Sequence, residues 1–217
     1  MHFQYDEKEL AYLKKKDKRL AAAIEQIGMI ERVTDDDLFA SVVHHIVGQQ
    51  ISAKAQATVW ARLQNYLGTI EPQTINAAPA EALQSLGISM RKALYIKDFA
   101  AKVVDGSFDL EAVKHMEDQE AITALSSLKG IGVWTAEMLL LFCLQRRDIF
   151  SFDDLAIQRG LRMLYHHRKI TKELFAKYRR RYSPYGSVAS LYLWAIAGGA
   201  IEGMKDYGAQ KKVSKKK

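Results

Sequence analysis

The chain has 217 residues, of which 48% are hydrophobic and 26% are charged, a composition typical of a folded globular protein. Its net charge of +7 favours a polyanionic partner, although many basic proteins bind no nucleic acid. The single cysteine, Cys143, excludes an intramolecular disulfide and a four-cysteine iron–sulfur cluster, and no apolar run reaches the roughly 18 residues of a membrane span.

Helix-forming residues dominate the sequence, which contains only three prolines. No segment sustains the alternation of apolar and polar residues that a half-buried strand requires. We therefore predict an all-α fold. The predicted helices cover residues 7–16, 18–27, 38–47, 52–66, two short turns within 74–86, 89–104, 120–127, 133–145, 154–165, 172–182 and 187–201.

A glycine turn, LKGIG at residues 128–132, separates two of these helices. Two glycines one residue apart favour a tight turn, and the apolar run from Trp134 to Leu144 predicts a buried helix directly after it. The first N–H groups of that helix have no partner inside it and lie at the positive end of its dipole. The sequence therefore predicts a hairpin over 120–145 that can hold a phosphate group.

This hairpin, followed after an apolar stretch by Asp154, resembles the helix-hairpin-helix (HhH-GPD) DNA glycosylases, specifically the 3-methyladenine DNA glycosylase II type. The resemblance extends from Asp17 to Gly199, and five segments occur in family order. Family members often have proline where this chain has Lys129, a departure that adds a positive charge. The segments are DKRLAAAIEQIG (17–28), IVGQQIS (46–52), LGISMRK (86–92), LKGIGVWTA (128–136) and FDDLAIQR (152–159).

The resemblance implies one glycosylase domain over residues 1–217, folded as a two-lobed helical bundle with the active-site cleft between the lobes. Lobe A would cover about 36–150, and lobe B about 1–35 plus 151–205, which leaves 206–217 as a basic tail. The family's type member has a further mixed α/β domain before this core, for which the residues before Asp17 leave no room.

The implied partner is double-stranded DNA that contains damaged bases. We expect a monomer with no membrane association. It would be intracellular, in the cytoplasm or nucleoid of a prokaryote or in the nucleus of a eukaryote.

Asp154 aligns with the catalytic aspartate of the family. Cleavage of an N-glycosidic bond makes the sugar cationic in the transition state, and opposite charges ~4 Å apart attract by roughly 4 kcal/mol at an effective dielectric of about 20. The alternative is that Asp154 only caps the helix that follows it, and the two roles are compatible. Asp153 is the better candidate for a purely structural role.

Trp134 occupies the position where relatives that also cut the DNA strand have a lysine, which attacks the sugar to form a Schiff base. A tryptophan cannot do so. The resemblance therefore implies a monofunctional enzyme that hydrolyses the bond to an alkylated purine, such as 3-methyladenine or 7-methylguanine, and leaves an abasic site. No cofactor is expected for the chemistry.

The resemblance also implies a pocket for the flipped-out base, formed by Trp134, Trp194, Met138 and Leu155. An alkylated purine is cationic, and an electron-rich ring face attracts it by about 0.5 to 2 kcal/mol. The alternative is that both tryptophans belong to the core.

Further residues are expected to contact DNA. Met90 matches the position of the wedge that fills the space left by the flipped base, although it could instead pack within its helix. Gln49 and Gln50 could bond the widowed base or merely cap a helix, and Arg91 and Lys92 could touch phosphates. The hairpin would present Gly130, Gly132 and Thr135 to a phosphate, and a structural sodium or potassium ion would lie on the backbone carbonyls of Ser126, Leu128 and Ile131.

Basic clusters could add salt-sensitive affinity for DNA, although charge runs are more often solvated faces or tails. The clusters are Lys14–Lys16, Lys177 with Arg179–Arg181, and Lys211, Lys212 and Lys215–Lys217.

Two functional alternatives also remain open. One is a non-catalytic module that uses the hairpin only to bind phosphates, and the other is a monofunctional glycosylase for deaminated or oxidised bases.

Overall fold

The computed structural model of the protein describes residues 1–208, and thirteen α-helices form the regular structure in that range. The β-type pairing in these residues is limited to an isolated bridge between His2 and Val33. The prediction of an all-α fold is confirmed. The helices are α1 (Glu7–Lys16), α2 (Lys18–Ile27), α3 (Leu38–Gly48), α4 (Ala53–Leu67), α5 (Pro72–Ala77), α6 (Ala80–Ser85), α7 (Met90–Val104), α8 (Leu110–His115), α9 (Asp118–Ser126), α10 (Val133–Phe142), α11 (Leu155–Tyr165), α12 (Lys172–Tyr182) and α13 (Gly186–Ala197).

Side-chain caps explain where several helices begin. The Asp17 carboxylate accepts the N–H groups of Arg19 and Leu20 at 3.0 Å each, at the start of α2. The Ser52 hydroxyl accepts the N–H of Ala55 at 3.2 Å at the start of α4. The Ser89 hydroxyl accepts the N–H of Lys92 at 3.3 Å at the start of α7. Each cap satisfies an N–H group that has no partner inside its helix. The helix starts predicted at residues 52 and 89 agree with these caps to within one residue.

Helix ends and one short helix differ from the prediction. α10 ends at Phe142, before the predicted end at Gln145, which has a φ of +50° that a helix does not allow. α13 ends at Ala197, two residues before Gly199, whose φ is +92°. α8 was not predicted; its start is set by Asp109, which accepts the N–H groups of Glu111 and Ala112, and not by a helical period in its six residues.

Residues 34–145, with Met1, form one compact unit, named here the hairpin unit. In it, the long helix α7 packs against α3, α5 and α6, and α10 packs against α9 and α3. The rings of Phe39 and Phe99 stack 4.9 Å apart and join α3 to α7 in the core.

Residues 2–33, together with the described chain from Arg146 onward, form a second compact unit, named here the flanking unit. Its centre is α13, on which Tyr192 and Leu193 have no solvent exposure, packed against α11, α12, α1 and α2. The Tyr192 hydroxyl donates to the Gly28 carbonyl at 2.9 Å and so links α13 to the end of α2. The boundaries expected near residues 36 and 150 differ from the observed divisions by a few residues.

No helix within residues 1–208 is both long and apolar enough to cross a bilayer.

Candidate active site

Asp154 is the N-cap of α11. Its Oδ1 accepts the N–H of Ala156 at 2.9 Å and that of Ile157 at 2.8 Å. The positive end of the helix dipole favours a negative charge at this position. The residue is only 6% exposed, although its neighbours Asp153 and Leu155 are exposed, Leu155 at 79%. The carboxyl group is therefore held in one place by the start of a helix.

Trp194 of α13 supplies another donor to the same oxygen. Its indole Nε1 lies 3.1 Å from Asp154 Oδ1. Three N–H groups thus converge on one carboxylate oxygen and orient the side chain. The tryptophan is partly exposed and is not simply a core residue.

Close contact between α11 and α13 sets this distance. Gly160 faces the backbone of Leu193, and a Cβ at position 160 would clash with the Leu193 carbonyl oxygen. Leu193 directly precedes Trp194, and Gly160 lies less than two helical turns from Asp154. The absent side chain therefore allows the two helices to approach closely enough for the indole to reach the carboxylate.

The segment before Asp154 is also anchored. The amide of Gln158 donates to the Phe152 carbonyl at 2.6 Å, so the first turn of α11 is bonded to the approaching loop. The Phe152 ring contacts the edge of Phe175 with centroids 5.2 Å apart. Sequence reasoning missed Gln158 and Gly160. A lone glycine inside an amphipathic helix is, however, a recognisable sign of close packing.

The hairpin turn lies between α9 and α10 in the hairpin unit. Gly130 has a φ of +87°, and a Cβ there would lie 2.6 Å from Tyr95 Cδ2, so both the backbone and the packing require glycine. Its carbonyl accepts the side-chain amide of Gln49 at 2.6 Å. The turn is thereby fixed from the side by α7 and by the residue that follows α3.

Gly132, the N-cap of α10, is different. Its φ is −94°, an added Cβ would meet no atom within 4 Å, and no side chain caps this helix. Nothing in the described structure requires glycine here, and the position that a Cβ of residue 132 would occupy is open. Thr135, by contrast, is 8% exposed, so its hydroxyl offers little surface, while Trp134 is 43% exposed.

Two residues expected to contact DNA make contacts inside the hairpin unit. Gln49 bonds Gly130, and the Lys92 ammonium donates to the carbonyl of Val47 at 2.9 Å and to that of Gln49. Burial, and next the charge of Arg91, lower the pKa of Lys92. Lys92 therefore stabilises the C-terminal end of α3, where carbonyls lack helical partners.

The other predicted contact residues show a range of exposure. Gln50, with a φ of +58°, and Arg91 are exposed, and Met90 is partly buried at the start of α7. Met138, expected in the base pocket, is 3% exposed. Their roles toward DNA stay predictions.

Of the three carbonyls expected to hold an ion, that of Leu128 accepts the N–H of Ile131 at 3.1 Å, which leaves its second lone pair available. Within residues 1–208 there is no cluster of three or more His, Cys, Asp and Glu side chains suited to a metal. The Lys129 ammonium, which adds a positive charge beside the turn, lies 2.7 Å from Asp98 Oδ1 and forms an ion pair with it.

Internal partners also engage part of the predicted basic clusters. Arg179 bonds the Asp148 carbonyl at 2.9 Å, and Arg181 pairs with Asp17. The cluster from Lys211 to Lys217 lies outside the described residues, as does most of the predicted basic tail.

A family model described as "HhH-GPD superfamily base excision DNA repair protein" matches residues 43–184. DNA-3-methyladenine glycosylase 1 of Schizosaccharomyces pombe is 31% identical over 161 residues, which are 72% of this chain and 71% of that protein. The crystal structure of a DNA-3-methyladenine glycosidase from Bacillus halodurans matches with a TM-score of 0.83 at 34% identity, covering 91% of this chain and 93% of that one. A 3-methyladenine DNA glycosylase of S. pombe, in complex with abasic DNA, matches with a TM-score of 0.75 at 27% identity, covering 87% and 95%.

Proposed function

Because the chain belongs to the HhH-GPD superfamily of base excision DNA repair proteins, we propose that it is a monofunctional DNA glycosylase that removes alkylated purines from double-stranded DNA. The resemblance seen in the sequence is confirmed at the level of the family. Relatives named for 3-methyladenine, one of them solved on abasic DNA, support the substrate class and the partner.

The arrangement around Asp154 carries the proposal. Departure of the base leaves positive charge on the sugar, and a carboxylate already oriented by three N–H donors needs no reorganisation to stabilise it. Of the two roles expected for Asp154, the helix cap is observed. We propose the catalytic role in addition, since the cap is what orients the charge.

The reaction is a hydrolysis and needs no cofactor. A purine alkylated at N3 or N7 is cationic and leaves as a neutral base when the bond to C1′ breaks, so no general acid is required. Water then adds to C1′, and its proton passes to Asp154 or to solvent. Trp134 stands where a strand-cleaving relative would have its lysine, so the strand stays intact at the abasic site.

The hairpin would hold the phosphate next to the lesion. The bare backbone of Gly132 supports this role, because an added Cβ there would meet no atom within 4 Å and the position therefore leaves room for a phosphate at the positive end of α10. A sodium or potassium ion on the carbonyls of Ser126, Leu128 and Ile131 would neutralise part of the phosphate charge and take no part in the chemistry.

The exposed ring of Trp134 is proposed to form one wall of the base pocket, with Trp194, Met138 and Leu155 as further members. Met90 would fill the gap left in the duplex, with Gln50 and Arg91 beside it. Because Gln49 and Lys92 bond the hairpin unit internally, we propose that they act on DNA by shaping the turn.

Product analysis by mass spectrometry on methylated DNA tests the function. We expect release of 3-methyladenine and 7-methylguanine, abasic sites without strand breaks, and no covalent complex trapped by borohydride. Binding without any release of base would identify a non-catalytic module. Preferential release of uracil or oxidised purines from competing substrates would identify a different glycosylase. Sedimentation of the same preparation tests the expected monomer.

A further inference from the structure

A basic pocket of about 490 Å³ lies in the flanking unit, apart from the residues that surround Asp154. Four cationic side chains line it: Lys16, Lys18, Arg19 and Arg181. Lys16 and Arg181 belong to two basic clusters that are far apart in the sequence and meet here. The fold thus gathers positive charge from distant parts of the sequence at one shallow site that is open to solvent.

The one carboxylate among the described lining residues, Asp17, is already neutralised. It is 5% exposed, accepts two N–H groups of α2, and pairs with Arg181. The first amides of α2 are therefore used inside the protein and are not offered to a ligand. Lys16, Lys18 and Arg19 are exposed, and no acid within the pocket is left to offset them.

Two tyrosine rings in contact, tilted by 31° to each other, form an ordered wall. The rings of Tyr165 and Tyr178 lie 4.4 Å apart, and the guanidinium of Arg19 lies 5.9 Å from the Tyr165 ring centre. The Tyr165 hydroxyl bonds that of Tyr182 at 2.5 Å, and the Tyr178 hydroxyl bonds His167 Nε2 at 2.7 Å. These bonds fix the rings and leave ligand binding to the cations at the rim.

Both burial and the surrounding positive charge act on His167. Its pKa is lowered by burial and then by the charges of Arg19, His166 and Lys177. An anion bound beside these groups would relieve that repulsion. The ring of His167 is therefore a natural reporter of occupancy.

We propose that this pocket binds a phosphate group, either a backbone phosphodiester of DNA or the phosphate of a small free ligand. Exposed lysines supply point charges to phosphate oxygens, and an arginine braced against an aromatic ring supplies directed donors. The site is independent of base excision, so its occupancy can be measured with undamaged duplex and with inorganic pyrophosphate.

The test follows the NMR signals of Tyr165, His167 and Tyr178 in the full chain during titration with each probe, and the salt dependence of duplex binding. The variant Lys16→Gln/Lys18→Gln removes two exposed cations and leaves Arg19 on Tyr165. The control Lys15→Gln/Lys205→Gln removes the same charge from exposed residues outside the pocket. Arg19→Gln serves as a second pocket variant, and a circular-dichroism spectrum checks its fold.

We expect the pocket signals to shift with wild type and the control but not with Lys16→Gln/Lys18→Gln. If the phosphate is that of DNA, the slope of log K against log salt falls in magnitude by about two in the pocket variant and less in the control. If the phosphate is that of a free ligand, pyrophosphate shifts the NMR signals of the pocket residues. The salt slopes of duplex binding are then equal in Lys16→Gln/Lys18→Gln and in the control. Pocket signals that stay fixed with both probes, or that shift equally in both double variants, would overturn the proposal.

Discussion

The indole N–H of Trp194 donates to Oδ1 of Asp154 across 3.1 Å, although 40 residues separate the two in sequence. Because two backbone N–H groups of α11 bind the same oxygen, the carboxylate has little freedom to rotate. The proposed catalytic charge is thus oriented jointly by its own helix and by a neighbouring one.

Asp154→Asn should slow excision strongly while preserving the fold. Asparagine caps a helix about as well as aspartate, so we expect stability to change little. The loss of roughly 4 kcal/mol of attraction to the cationic sugar corresponds to about a thousandfold lower kcat. The rate of 3-methyladenine release in a single turnover measures this loss, and Asp153→Asn is the matched control at an exposed position. Equal rates in the two variants would remove Asp154 from the chemistry.

Trp194→Phe keeps an aromatic ring and deletes the donor. A hydrogen bond to a charged group contributes about 1.5–3 kcal/mol, so kcat should fall about 10- to 100-fold. We expect KM to stay nearly constant, because the ring remains in place, and the free energy of unfolding to fall by no more than about 3 kcal/mol, because Asp154 keeps its two backbone donors. Trp60→Phe, in α4, where the ring packs against His44 with centroids 4.7 Å apart, should leave kcat and KM unchanged. A fall in stability that accounts for the whole loss of rate would mean that the bond is only structural.

Gly160→Ala should destabilise the flanking unit. The new methyl group would meet the Leu193 carbonyl oxygen, and overpacking of this kind costs about 1–3 kcal/mol. Denaturant unfolding measures the cost, and kcat should fall as well, because α11 and α13 must move apart. Unchanged stability together with full activity would show that the two helices can adjust.

Gly132→Ala adds the same methyl group as Gly160→Ala but should not destabilise the protein. A Cβ there meets no atom of the protein within 4 Å, so the free energy of unfolding should change by less than about 1 kcal/mol. The methyl group would instead crowd a phosphate on the first turn of α10, and we expect weaker binding of abasic duplex by fluorescence anisotropy. Wild-type affinity would argue against phosphate contact at this turn.

Cys143 should make stability depend on alkaline pH. Burial raises the pKa of its thiol to about 11, whereas the unfolded thiol ionises near about 8.5. The folded state favours the neutral form, so this contribution is complete below the unfolded pKa and declines as pH rises toward the folded value. Unfolding free energies of wild type should therefore fall more steeply than those of Cys143→Ala between these pH values. Parallel curves would mean that the folded thiol ionises normally.

Local chemistry explains what could be read from the sequence. Asp17, Ser52 and Ser89 cap helices through contacts two or three residues away, and the glycine turn and the Asp154 segment carried the family resemblance. Contacts between distant residues could not be read in the same way. Nothing in the sequence pairs Trp194 with Asp154 or Gln49 with Gly130, since those distances arise only when helices pack.

The ammonium of Lys92 bonds the carbonyl of Gln49, and the side chain of Gln49 in turn bonds the carbonyl of Gly130. Lys92 can thus act on the hairpin turn through Gln49 as an intermediary. Chemical acylation at this one amine would remove its charge and weaken the anchor at the end of α3. The geometry of the turn is in this sense sensitive to a covalent modification on α7.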